Sequence, residues 1–206
     1  MSTTTSSRHR PQRSGLIEHD ARHSNALLIL DMISCWQFSD GPALGRQALR
    51  IAPAIAALKA RCVAARVPVV YANDNSGQWR SDFQFLVRES LESPGIAAKI
   101  TRELEPAPGD YFVLKPKHSA FFATPLEILL DHLATRRLIV TGVASDQCVA
   151  NTVADARMRD FEVVVPADCV ATQSADRNRR ALKHLEDVLD VRTTPGSRVR
   201  FDKPPA

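Results

Sequence analysis

Polar side chains able to attack, deprotonate or polarise a carbonyl stand at four places in this chain, each just beyond an apolar run. Asp31 follows "ALLIL", Asn73 and Asp74 follow "VPVVYA", Lys115 follows "YFVL", and Cys148 lies a short turn beyond "RLIVTG". A thiol is the natural nucleophile of the set, but it reacts as the thiolate. At the first turn of a helix the backbone N–H groups favour that charge, and a nearby ammonium pushes the same way. A carboxylate close by accepts the thiol proton and later hands it to a leaving group. Asp31, Lys115 and Cys148 thus make a self-consistent acyl-transfer set without a histidine. His118 comes nearest to joining them and reads as a pocket wall rather than a base. Each residue alone has an ordinary reading: Asp31 as a turn-forming cap, Lys115 as a solvated strand end, Cys148 as a small buried hydrophobe. Their joint placement is what calls for chemistry.

That placement depends on the elements. Ala26–Asp31 is a short continuous apolar run, as a strand covered on both faces would be. The segment 42–67 has helical spacing, with Leu44, Ala48, Ile51, Ile55, Leu58 and Cys62 on one stripe, and Pro53 either kinks or restarts it. Val67–Ala72 and Tyr111–Leu114 read as the second and third strands. "TPLEILLDHLA" is a helix with Thr124 as N-cap and Pro125 at its first position. Then come the strand "RLIVTG", a helix from about Asp146, the strand Phe161–Val165, the helix "SADRNRRALKHLEDVL" and a last strand "DVRTT".

Strands alternating with helices imply right-handed crossovers. The predicted fold is α/β: a three-layer αβα sandwich around a mostly parallel, doubly wound sheet of about six strands. Ligands sit at the carboxyl ends of the strands in such sheets, and all four polar groups are delivered to that edge. The stretch Asn73–Asp110 is long for a connection and reads as a functional lid. The expected pocket comprises Trp36, Phe38, Asn73, Asp74, Trp79, Arg80, His118 and Phe121. The aromatic residues either line it or cover the sheet edge or an oligomer contact. Arg80 either binds a substrate carboxylate or pairs with Asp82.

Composition excludes several classes. No apolar run approaches the roughly 20 residues that span a bilayer. The net charge of +4 is local, because Arg8, Arg10 and Arg13 precede every acidic residue and leave 24 basic against 23 acidic groups beyond them. A nucleic-acid surface needs a basic face on the folded part, and none is visible. Residues 1–23 read as a disordered tail, 24–200 as one domain and 201–206 as a short C-terminal tail. The N-terminal stretch has a faint likeness to a transit peptide but lacks an apolar helical face. Cys35, Cys62, Cys148 and Cys169 are widely spaced, with no CxxC pair. Reduced thiols in a cytoplasm are expected, rather than a disulfide framework or a zinc knot.

Three blocks resemble the isochorismatase-like cysteine hydrolases, which include nicotinamidases and N-carbamoylsarcosine amidases. They are "ALLILDM", "VLKPKHSAFFATPLEILL" and "VTGVASDQCVANTVADARMRDFEVVVPADC", spread in the family's order over residues 24–195. The resemblance implies Cys148 as nucleophile, Asp31 as general base and acid, and Lys115 as the charge that orients both; Lys117 falls two residues late. It also implies a cis peptide at Val143–Ala144 and an oxyanion hole from the backbone N–H groups of Ala144 and Cys148. The family's nicotinamidases hold a metal through an Asp-x-His motif, but here Asp74 is followed by Asn75 and Ser76, and no histidine lies between His23 and His118. A lone carboxylate is a poor zinc site, so neither metal nor cofactor is expected. The isochorismatases proper cleave a vinyl ether and lack the cysteine. The expected activity is therefore hydrolysis of a small amide or N-carbamoyl compound through a thioester, in a homodimer or homotetramer. The alternatives are a thiol redox protein, with Cys169 as a resolving partner, and a non-catalytic interaction protein on the same fold.

Overall fold

Asn25–Leu30 form strand β1, and every residue in it is buried. Its side chains alternate between two apolar clusters: Leu27 and Ile29 face one, while Ala26, Leu28 and Leu30 face the other. Each fully buried Leu or Ile is worth about 1.5–3 kcal/mol, which makes this strand the spine of the molecule. The computed structural model describes residues 23–75, 77 and 82–202 of the chain. The N-terminal tail reading, and the pocket residues Trp79 and Arg80, lie outside the described residues.

The other elements are α1 (Gly41–Ala64), β2 (Val69–Asp74), α2 (Phe83–Glu92), α3 (Ile96–Glu103), β3 (Tyr111–Lys115), α4 (Leu126–His132), β4 (Arg137–Val143), α5 (Ala150–Arg157), β5 (Glu162–Val164), β6 (Val170–Ala171) and α6 (Ala175–Asp187). The six strands form one parallel sheet in the order β3-β2-β1-β4-β5, with β6 pairing to the far end of β4. Residues of α1 and α3 pack on one face, and residues of α4, α5 and α6 on the other. This is the three-layer αβα sandwich. Among the described residues, no helix is long and apolar enough to cross a membrane.

Several boundaries differ from the sequence reading. β2 starts at Val69, because Pro68 has no N–H for the ladder, and Asn73 and Asp74 end the strand instead of following it, since they pair with Leu114 and Lys115 of β3. α1 runs unbroken through Pro53, and Ala52 takes the buried place expected for Ile51. α4 begins at Leu126, whose N–H is capped by the Thr124 hydroxyl at 3.2 Å. "DVRTT" contributes a single bridge, Val164 to Arg192, and the sixth strand is the two-residue β6. The stretch between β2 and β3 is not a plain lid: it holds α2 and α3, and Ala97, Ile100 and Leu104 pack in the α1 cluster.

Strand order reverses between β1 and β4, the switch point at which such sheets bind ligands. Gly142 sets how closely those two strands approach. It has φ +104, and a Cβ placed there would stand 2.1 Å from Leu30 O. Gly142→Ala should cost at least about 3 kcal/mol, through clash and strain together. Chemical denaturation would register it as a lower midpoint with an unchanged slope.

Candidate active site

The ends of β1, β3 and β4 bring Asp31, Lys115 and Cys148 into contact. Asp31 follows β1 directly and has φ +54, a left-handed conformation that Asp tolerates better than most residues. Its backbone N–H donates to Ala72 O at 3.0 Å, and its Oδ1 accepts from the Asp74 N–H at 2.7 Å. Asn73 fixes the same loop further on, its Nδ2 donating to Ile33 O at 2.7 Å.

Lys115 ends β3, two strands from β1, and its side chain reaches back across the sheet edge with no solvent exposure. Its Nζ lies 2.9 Å from Asp31 Oδ2, 3.4 Å from Cys148 Sγ and 3.8 Å from Asp74 Oδ2. It also donates to Lys117 O at 3.3 Å. Burial works against the ammonium, but Asp31, the sulfur and Asp74 outweigh it and raise its pKa. The lysine stays a cation.

Cys148 sits in a π-helical turn, Ser145–Val149, rather than at the start of the helix expected from Asp146; α5 begins only at Ala150. Ala144 O accepts from both Gln147 N–H and Val149 N–H, which opens the wider turn. The peptide between Val143 and Ala144 is cis. Asp146 braces the turn from outside: Oδ1 accepts from the Thr172 hydroxyl at 2.6 Å, and Oδ2 takes both Nε and Nη2 of Arg177. Nothing in the sequence flagged that clamp, because Arg177 lies on α6, 31 positions away. The loop after β3 is tied to α5 by Ser119 donating to Asp155 and by the Ala120 N–H donating to Thr152 Oγ1 at 3.0 Å.

Burial, and then Asp31, push the Cys148 thiol up to about 12, although Lys115 pulls the other way. Burial and the carboxylate thus outweigh the ammonium, and the balance favours the protonated thiol at rest. Alkylation of Cys148 by iodoacetamide should keep accelerating with pH where an ordinary thiol levels off, above about 8.5. A labelling profile read by peptide mass tests this.

Other pocket expectations separate. His118 is exposed, and its Nδ1 lies 3.6 Å from Cys148 Sγ, far closer to the chemistry than a pocket wall need be. Asp74 stands beside the Lys115 ammonium with its side chain half exposed. Phe38 is exposed and tilted on Trp36, 6.5 Å between ring centroids. Trp36 itself is buried in the α1 cluster, its ring against Gly45. Phe121 is a core side chain too, packed on Phe161 under the Arg159 guanidinium. Both rings gain more by burying their apolar area than by lining an open cleft. Cys169 belongs to the α1 cluster with Cys62, its sulfur 3.6 Å from Asp168 Oδ1. Among the described residues, no three His, Cys, Asp or Glu side chains converge as metal ligands.

A doubly wound sheet with a thiol, an ammonium and a carboxylate at its switch point defines a class, and comparison with known proteins bears on which one. The isochorismatase domain family matches residues 25–195. An isochorismatase family protein of Bacillus subtilis strain 168, YaaI, is 37% identical over 174 residues, covering 84% of this chain and 95% of that one. The chain belongs to the isochorismatase family of hydrolases. Solved structures share the fold: a nicotinamidase from Staphylococcus aureus superposes with a TM-score of 0.65 at 23% identity, covering 84% of this chain and 98% of that chain. An N-carbamoylsarcosine amidase from Thermoplasma acidophilum gives 0.66 at 21% identity, covering 86% and 99%.

Proposed function

We propose that this protein hydrolyses a small amide or N-carbamoyl compound through a thioester on Cys148. The contact of Lys115 Nζ with both Asp31 Oδ2 and Cys148 Sγ carries the reading. The resting thiol holds its proton, so attack needs a base, and Asp31 is the carboxylate that acts on that sulfur. Asp31 takes the thiol proton while the sulfur pair forms the C–S bond and the carbonyl pair moves onto oxygen. The N–H groups of Ala144 and Cys148 receive that oxyanion. On collapse the C–N bond breaks, and Asp31 returns the proton to the departing nitrogen. Lys115 balances the charge throughout, next to whichever of carboxylate and thiolate is ionised. Water then cleaves the thioester.

Two fold relatives are named for amidase activity on a nicotinamide and on an N-carbamoyl compound, which supports the substrate class. A screen of small amides and N-carbamoyl compounds, run beside Cys148→Ala, tests it. No turnover on any amide or ureido compound, or equal turnover by the variant, would refute the proposal. Dialysis against a strong chelator should leave the activity unchanged; loss, with recovery on adding zinc, would point to a metal site formed by other ligands. A thiol redox role for the Cys148–Cys169 pair is disfavoured, since Cys169 packs with Cys62 beneath α1.

A further inference from the structure

The sulfur of Cys148 has neighbours of two kinds. Lys115 is wholly buried and the Asp31 side chain is only 16% exposed, whereas His118 is open to solvent. The imidazole therefore lies on the side from which water reaches the sulfur. Asp31 Oδ1 accepts the Asp74 N–H, and Oδ2 is shut off from solvent against the Lys115 ammonium, so the carboxylate faces the thiol but not incoming water. Once an acyl group is attached to Cys148, the carbonyl carbon stands one bond from the atom that His118 Nδ1 touches at 3.6 Å.

We propose that His118 is a further catalytic residue, the general base that activates water against the thioester, and this rests on the acyl-enzyme reading above. Neutral imidazole, with its hydrogen on Nε2, accepts a proton from water at Nδ1 as the water oxygen forms its bond to the acyl carbon. The carbonyl pair moves to oxygen and returns as the C–S bond breaks. The proton on Nδ1 then passes to the departing sulfur along the existing contact. One water is consumed, one carboxylic acid is released, and thiol and neutral imidazole are restored. Such a return path is needed here, because a thiolate in this buried, carboxylate-flanked position is strongly basic and leaves best as the thiol. The division of labour follows from exposure: the buried carboxylate serves the step that excludes water, and the exposed imidazole serves the step that admits it.

The test uses the full chain and p-nitrophenyl acetate as probe. His118→Ala and His118→Asn should release the first equivalent of nitrophenolate within a few-fold of the native rate. Steady-state turnover should then fall on the order of a hundredfold. Intact mass should show acetyl adduct accumulating on Cys148, and hydroxylamine, which attacks thioesters without a base, should restore turnover. A purely structural residue would depress both phases without accumulation. If either variant turns over with no adduct build-up, the assignment of His118 is overturned while the nucleophile stands. If Cys148→Ala releases nitrophenolate with the same burst as the native protein, the thioester reading itself fails and the role of His118 falls with it.

Discussion

Cys148→Ala should lose amide hydrolysis by at least about a thousandfold while keeping its fold. The side chain is small and buried, and neither apolar cluster counts it as a member, so truncation should lower stability by only about 1 kcal/mol. The Asp31–Lys115 ion pair remains intact in the variant, so no buried charge is orphaned. Cys62→Ala is the matched control. That thiol is fully buried on α1 and is likewise pushed up to about 12 by burial, yet it packs among apolar residues. It should cost a similar or larger amount of stability and leave turnover essentially unchanged. Comparing initial rates and denaturation midpoints of the two variants separates a reactive sulfur from a packing sulfur. Near-native turnover by Cys148→Ala would remove the nucleophile from the mechanism.

What the sequence disclosed, and what it hid, follows from which interactions are local. Strands covered on both faces announce themselves as apolar runs, so β1 and the main part of β4 are legible, and with them the chain positions of Asp31 and Cys148. Lys115 was also legible, but its reach was not. A solvated strand end and a fully buried ammonium have the same sequence, and only the packing of β3 beside β2 turns the side chain inward. β6 has two residues and so no period to detect. The bracing of the nucleophile turn joins Asp146 to a residue of α6 across a long sequence separation, which no spacing rule captures.

The two buried aromatic residues depend on partners that lie elsewhere in the chain. Trp36 and Phe121 stand near functional segments in the chain, and proximity suggested a pocket. The indole instead finds a slot over Gly45, where a Cβ would press on it at 3.1 Å and on Ile96 at 2.6 Å, and Phe121 packs against Phe161 and Arg159. His118, expected in the pocket, stands 3.6 Å from the nucleophile sulfur. Its place on an exposed loop gave no sign that the ring rests on the sulfur, because the turn carrying Cys148 comes from another strand.

Charge coupling at the sulfur gives the sharpest expectation. Asp31 raises the thiol pKa and Lys115 lowers it, while burial sets the high starting point. Lys115→Met removes the lowering influence, so the pKa rises further and alkylation of Cys148 at neutral pH should slow severalfold or more. Asp31→Asn removes a raising influence, so the pKa falls and labelling should hold or quicken. Turnover should nevertheless collapse in both, since one variant lacks the balancing cation and the other lacks the proton shuttle. Stability should separate them as well. Asp31→Asn leaves a fully buried ammonium whose remaining carboxylate neighbour is Asp74 at 3.8 Å, a loss of roughly 3 kcal/mol or more. Lys115→Met leaves a carboxylate that is partly solvated and still accepts the Asp74 N–H, so it should be the milder change. Opposite shifts in labelling, a common loss of catalysis and unequal losses of stability cannot all arise from a cysteine that merely fills space. Equal labelling rates in native, Lys115→Met and Asp31→Asn proteins would show that neither charge acts on the sulfur, and the proton transfers assigned to Asp31 would have to be abandoned.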